Sequence, residues 1–178
     1  MGSIGANRNS NSSTTSTAPA GFDERAEEYI GGGIDVDEVF SKEDLDYIRN
    51  NLESTEETLY RVEDSRYTAD LLDQDELDGD DFKFNGSFRS FTSNMNFIKE
   101  ALDQDSDAYA GIRNPVIFEI TGTKKAFDMS KYADAYASLM FTTEDQKESF
   151  VGGRFETVGE SVRKLNGRSV RVIKLRQK

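Results

Sequence analysis

The residues with the most chemistry in them lie near the C-terminal end, in Thr143-Glu144-Asp145-Gln146-Lys147-Glu148-Ser149-Phe150-Val151-Gly152-Gly153-Arg154-Phe155. If Gln146 to Glu148 run extended, residues two apart share a face, and the amide of Gln146 points the same way as the carboxylate of Glu148. One ligand could then touch both. The Phe-Val pair that follows, the Gly-Gly turn and a second alternating run from Phe155 to Val158 predict a hairpin that holds this face on a rigid edge. The competing reading is a solvated polar loop before a hairpin.

Other side chains offer matching chemistry. Leu59-Tyr60-Arg61-Val62 reads as a short strand with Arg61 on the face opposite Tyr60 and Val62. Arg61 is then either a surface charge on an edge strand or a guanidinium fork for a diphosphate or carboxylate. In Phe88-Arg89-Ser90-Phe91-Thr92-Ser93, Ser90 and Thr92 line up on one face of an extended segment. Local turn and capping chemistry at Ser93 or Asn94 accounts for part of the same pattern.

Composition narrows what these groups can do. The chain of 178 residues contains no His and no Cys. That removes zinc sites of the usual ligand types, Ser-His-Asp and Cys-His catalysis, thiol redox chemistry and disulfide scaffolds. Chemistry must run on carboxylates, Arg, Lys, Ser, Thr and Tyr. A net charge of −12, from 34 acidic against 22 basic residues, argues against a general affinity for phosphate backbones, so a nucleic-acid partner would need a local basic face. No run approaches the length of a membrane span, and a soluble protein with no membrane partner is expected.

The elements that must position these groups can be read in order. Residues 1–20 are Ser, Thr, Asn, Gly and Ala with hardly a large apolar side chain, and are expected to form a flexible arm. Residues 21–178 form one domain. A helix is predicted over Phe22 to Ile30, stopped by Gly31-Gly32-Gly33. A second starts at the cap residue Ser41, with Asp44 three residues on and Leu45, Ile48 and Leu52 on one stripe. The acids between Glu63 and Asp81 do not fit a calcium loop, because Leu77 stands at a ligand position and Gly79 comes one residue late; a solvated loop is the better reading. Asn85-Gly86 predicts a hairpin joining Phe82–Phe84 to Phe88–Ser93. Phe97, Ile98, Ala101 and Leu102 mark a helix, Val116 to Ile120 the clearest strand, and Lys124 to Phe127 another. Tyr132, Tyr136 and Leu139 suggest a helical turn or an aromatic-lined loop. Val170 to Leu175 alternates into a last strand, and the cations from Arg163 to Lys178 have no acids among them.

In this order, Leu59-Tyr60-Arg61, Ser90-Phe91-Thr92-Ser93, Val116 to Ile120 with Gly122-Thr123-Lys124-Lys125-Ala126-Phe127, and Gln146-Lys147-Glu148 together resemble the mono-ADP-ribosyltransferase family, over about Leu59 to Leu175. Its pattern is an Arg on the first strand, a Ser-Thr-Ser strand and a Gln/Glu-x-Glu element. The likeness is closest to phage-encoded transferases that modify host proteins and, through Gln-x-Glu, to the clostridial Rho-modifying exoenzymes. It implies an α+β fold of two packed, mainly antiparallel β-sheets with flanking N-terminal helices. It further implies transfer of ADP-ribose from NAD, as substrate and without a metal, to a host protein with release of nicotinamide. A nucleic-acid acceptor ranks second. By the resemblance Glu148 is the catalytic carboxylate with Gln146 beside it, Arg61 grips the NAD diphosphate, and Ser90 and Thr92 brace the site. Val62 stands where the family usually has Gly, the segment from Glu148 to Phe155 is about a residue short, and Glu144 competes with Glu148 for the catalytic role. Gln146 in place of Glu hints at an acceptor other than arginine. A phage origin would put the protein in the host cytoplasm or packaged in the virion. Two rival readings stand beside the enzyme: an acidic, non-enzymatic binding or inhibitor protein of the same fold, and a virion-associated structural component with a vestigial site.

Overall fold

The computed structural model describes residues 17–32, 35–66, 81–84, 86–103, 112–132 and 147–178. Its helices are α1 (Phe22–Gly32), α2 (Val36–Val39), α3 (Lys42–Asn50) and α4 (Met95–Ala101). Its strands are β1 (Glu53–Thr55), β2 (Leu59–Asp64), β3 (Asp81–Phe82), β4 (Arg89–Thr92), β5 (Pro115–Ile120), β6 (Lys124–Asp128), β7 (Glu148–Val151), β8 (Phe155–Leu165) and β9 (Arg168–Gln177). They link in the order β1-β6-β7-β4-β2-β5-β9-β8-β3, and every pair is antiparallel except β5 with β9.

Alternation along the strands sorts the core. Leu59, Phe91, Val116, Phe118, Ile120, Val151, Phe155, Ile173 and Leu175 pack in one cluster, so side chains from β4 and β7 meet those from β5, β8 and β9. Phe84 seals it, with ring centroids 5.7, 5.1 and 5.5 Å from Phe91, Phe118 and Phe155. On the opposite face of β5 and β9, Ile117, Val170 and Val172 pack with Ile98 and Leu102 from the α4 region. The α+β, mainly antiparallel architecture expected from the sequence is the one observed.

The N-terminal helices cover the remaining face. Phe22, Ala26, Val36, Phe40 and Ile48 bury against Phe127 and Phe150 of β6 and β7, and Ala18 already packs on this cluster. Burying each large side chain contributes about 1.5–3 kcal/mol before the entropy of ordering is set against it. Asp44 locks the helices together. Its carboxylate takes both arms of the Arg25 fork at 2.7 Å and completes a capping box with Ser41 at the start of α3. Burial pushes the Asp44 carboxyl up, but the hydrogen bonds from Arg25 and Ser41 outweigh it and hold the group below its ordinary value.

Four local expectations are corrected. The glycine-rich stop acts later than expected: α1 continues through Gly32 rather than ending at Ile30. The Asn85-Gly86 hairpin does not form: β3 pairs with β8, and β4 lies between β7 and β2. Gly86 does take the left-handed turn, at φ +83°, but the following Ser87 N–H is held by Asp37 of α2 at 2.9 Å, which sends the chain to a different partner. The Gly152-Gly153 hairpin fails in the same way, because β7 pairs with β4 and β6 while β8 pairs with β9 and β3. Gly152 is needed for closeness instead, since a Cβ there would lie 2.8 Å from the Ser87 carbonyl oxygen. Finally, Lys147 has φ +42°, so the backbone is not extended across Gln146 to Glu148 and strand alternation starts only at Glu148.

Candidate active site

A gap in the sheet makes the site. β2 pairs with β5 along its whole length, from Leu59 opposite Ile120 to Asp64 opposite Pro115, but with β4 at the single position Tyr60 opposite Thr92. Beyond Tyr60 the two strands part. A cleft of about 340 Å³ opens there, within the size range of small-molecule sites. Its lining includes Arg61 of β2, Arg89, Ser90 and Thr92 of β4, Glu148 of β7, and Tyr29 of α1.

Register explains why Ser90, Thr92 and Glu148 converge. In the β4–β7 ladder Thr92 stands opposite Glu148 and Ser90 opposite Phe150, so these four side chains share one face and Ser90 is the diagonal neighbour of Glu148. The Ser90 hydroxyl donates to the Glu148 carboxylate. Thr92 lies beside them, with its Oγ1 accepting from the Asn94 N–H at 2.9 Å, and Asn94 in turn caps α4. Ser90 therefore serves the carboxylate and Thr92 serves the turn.

Arg61 closes the gap from the other side. Its Nη1 donates to the Ser90 carbonyl oxygen at 2.8 Å and its Nε to Glu63 at 2.5 Å. These bonds fix the plane of the guanidinium across the parted strands and, among the described residues, leave its Nη2 end without a hydrogen-bond partner. Arg89 is braced similarly, donating to Asp35 at 2.8 Å.

Tyr29 was missed in the sequence. Its ring meets Phe150 edge-on at 4.9 Å, and its hydroxyl hydrogen-bonds to both Glu148 and Ser90. Only its place on the apolar stripe of α1, seven residues after Phe22, hints that it faces the domain; nothing local points to the carboxylate. Burial and the nearby Glu148 charge push the Tyr29 phenol well above its ordinary value, so it stays a proton donor. Burial likewise raises the Glu148 carboxyl, against the hydrogen bonds from Ser90 and Tyr29 and the positive charge of Arg61. Glu148 is half-buried, with protein packed closely around it yet a window on the cleft. Gln146 and Glu144 lie outside the described residues. Among the described residues no group of three or more His, Cys, Asp or Glu side chains could hold a metal ion, and no helix is long and apolar enough to cross a membrane.

No protein-family model matches the sequence, and no curated protein matches it. Solved structures do. Plx2a, an ADP-ribosyltransferase toxin from Paenibacillus larvae, superposes with a TM-score of 0.52 at 10% identity over 89% of this chain and 86% of that one. The Vis toxin, an ADP-ribosyltransferase from Vibrio splendidus, gives 0.52 at 16% identity over 92% and 76%. The chain has an ADP-ribosyltransferase-like fold. C3larvin toxin, an ADP-ribosyltransferase from Paenibacillus larvae, gives 0.51 at 11% identity over 90% and 96%, so the ADP-ribosyltransferase-like fold takes up nearly all of both chains. At such identities the likeness establishes the fold, and the reading of the cleft rests on its own residues.

Proposed function

We propose that the protein is an NAD-dependent mono-ADP-ribosyltransferase that moves ADP-ribose to a macromolecular acceptor, a host protein in the first instance, and releases nicotinamide. The observation that carries this reading is the Glu148 carboxylate, held by hydroxyls of Ser90 and Tyr29 beside the Arg61 guanidinium, in a cleft of a fold shared with ADP-ribosyltransferase toxins.

The chemistry needs only what the cleft contains. Arg61 binds the NAD diphosphate through its remaining donors. The bond from the nicotinamide nitrogen to the ribose C1′ breaks with its electron pair leaving on nicotinamide, and positive charge develops on the ribose. Ionised Glu148 accepts a hydrogen bond from a ribose hydroxyl and stabilises that charge, which an acceptor nucleophile then quenches at C1′. Ser90 and Tyr29 aim the carboxylate. Gln146, two residues before Glu148, is proposed to contact the acceptor.

Incubation of the protein with labelled NAD and a bacterial lysate, wild type beside Glu148→Gln, tests the proposal. Labelled macromolecules that vanish in the variant are expected. Equal labelling by both, or none by folded wild type with nicotinamide not released, overturns it.

A further inference from the structure

The cations between Arg163 and Lys178 do not all end alike. Arg163 pairs with Glu119 at 2.8 Å, Arg171 with Glu160 at 2.6 and 3.0 Å, and Arg176 and Lys178 both reach Glu156. Arg168 forms no ion pair with an acid among the described residues. Its guanidinium donates to the carbonyl oxygens of Leu102, Ile112 and Arg113 at 3.4, 3.3 and 2.9 Å, which fixes the fork without cancelling its charge.

Around this fork lies a hollow of about 450 Å³ that shares no lining residue with the cleft. Ser65, Arg113, Asn114, Arg168, Ser169 and Arg171 line it, and among the described residues no acid does. Lys164 stands directly opposite Ser169 in the β8–β9 ladder, on the same face. The acids nearby among the described residues, Asp64 and Glu160, are already engaged. Asp64 takes the Arg66 fork at 2.9 and 2.8 Å and the Arg113 N–H at 2.7 Å, and these bonds, that of Arg66 foremost, hold its carboxyl far below the ordinary range. Glu160 is spent on Arg171. Arg113 is thus anchored by its backbone while its exposed side chain has no acidic partner among the described residues.

We propose that this hollow binds a phosphate group, either free phosphate or the terminal phosphate of a small nucleotide. The Arg113 fork, with the small hydroxyl and amide donors of Ser169 and Asn114 beside it and the uncancelled charge of Arg168 behind it, matches the donor set that a tetrahedral oxyanion requires.

The test is calorimetric titration of the full chain at low salt with inorganic phosphate and, separately, adenosine 5′-monophosphate, using wild type, Arg113→Ala, Arg113→Lys and, as a control, Lys42→Ala at an exposed cation of α3 that lines neither the hollow nor the cleft. Saturable phosphate binding is expected, weakened about tenfold in Arg113→Ala, the loss of one charge-assisted hydrogen bond. Partial recovery in Arg113→Lys and no change in Lys42→Ala are expected with it. A parallel loss for the nucleotide in Arg113→Ala assigns the site to a nucleotide phosphate; a loss for phosphate alone assigns it to the free ion. No saturable phosphate binding by wild type, equal affinity in Arg113→Ala, or an equal loss in Lys42→Ala, overturns the proposal. Arg113 is exposed, so matching thermal melts will show that its variants fold.

Discussion

The phenol of Tyr29 on α1 donates a hydrogen bond to the carboxylate of Glu148 on β7, joining the first helix of the domain to the residue proposed to carry the reaction. The contact depends on the packing of α1 against Phe150, so the helical layer positions the site as well as closing the core. Tyr29→Phe keeps the ring and removes the donor. A charge-assisted hydrogen bond contributes about 1.5–3 kcal/mol, so kcat for nicotinamide release should fall roughly ten- to a hundredfold. KM for NAD and the melting temperature should change little. Steady-state kinetics beside a thermal melt check this, and an unchanged kcat would remove Tyr29 from the account.

Glu148 should cost the fold stability at neutral pH. Its folded-state pKa lies above the unfolded value, so the folded protein holds that proton more tightly and loses stability as pH rises through the interval between the two. Glu148→Gln should therefore melt higher than wild type at neutral pH. The gain should shrink on acidification and disappear below the ordinary Glu value of about 4.3. A lower melting temperature for the variant at neutral pH would show that the ionised carboxylate is favourably held.

Activity should follow the same group. Nicotinamide release should rise with pH along a single titration whose apparent pKa exceeds the ordinary value, because burial raises the Glu148 carboxyl. Ser90→Ala removes a donor that favours the ionised form, so it should move that titration to still higher pH. A pH–kcat/KM profile of both proteins measures the shift, and a move to lower pH would contradict the assigned hydrogen bond.

Asp44→Ala tests the helical layer. It deletes the capping box of α3 and both bonds from Arg25, and partial exposure of Arg25 reduces the value of the ion pair. A loss of about 2–4 kcal/mol by denaturant unfolding is expected, from the cap and one charge-assisted bond together. A loss below about 1 kcal/mol, the size of an exposed ion pair, would mean that the Arg25 bonds add nothing beyond the surface value.

Much of this architecture was legible in residues that act on near neighbours. The capping box follows from Ser41 and Asp44 three residues apart, and the strand at Val116–Ile120 from an apolar run that only Glu119 interrupts and that is buried on both faces. The pairing of strands was not. Asn85-Gly86 and Gly152-Gly153 carry turn chemistry, but Phe155 pairs back with Phe82 and β5 pairs in parallel with β9, contacts set by packing across the whole sheet. The candidate site divides likewise. Ser90, Thr92 and Glu148 share a face because of β4–β7 register, and Arg61 reaches Ser90 because β2 leaves β4 after one pair. Alternation alone could nominate the first two and the fork, but the left-handed backbone at Lys147 broke the extended reading that linked Gln146 to Glu148. Tyr29 arrives from a helix that no spacing rule connects to the carboxylate.

The most direct measurement is the rate of nicotinamide release from NAD by purified wild type and Glu148→Gln, each shown to be folded by circular dichroism. Release by wild type and a drop of about 100- to 1000-fold in the variant are expected, the usual effect of removing one group that stabilises transition-state charge. Equal rates, or no release by folded wild type, would contradict the assignment of Glu148 as the catalytic carboxylate of an ADP-ribosyltransferase.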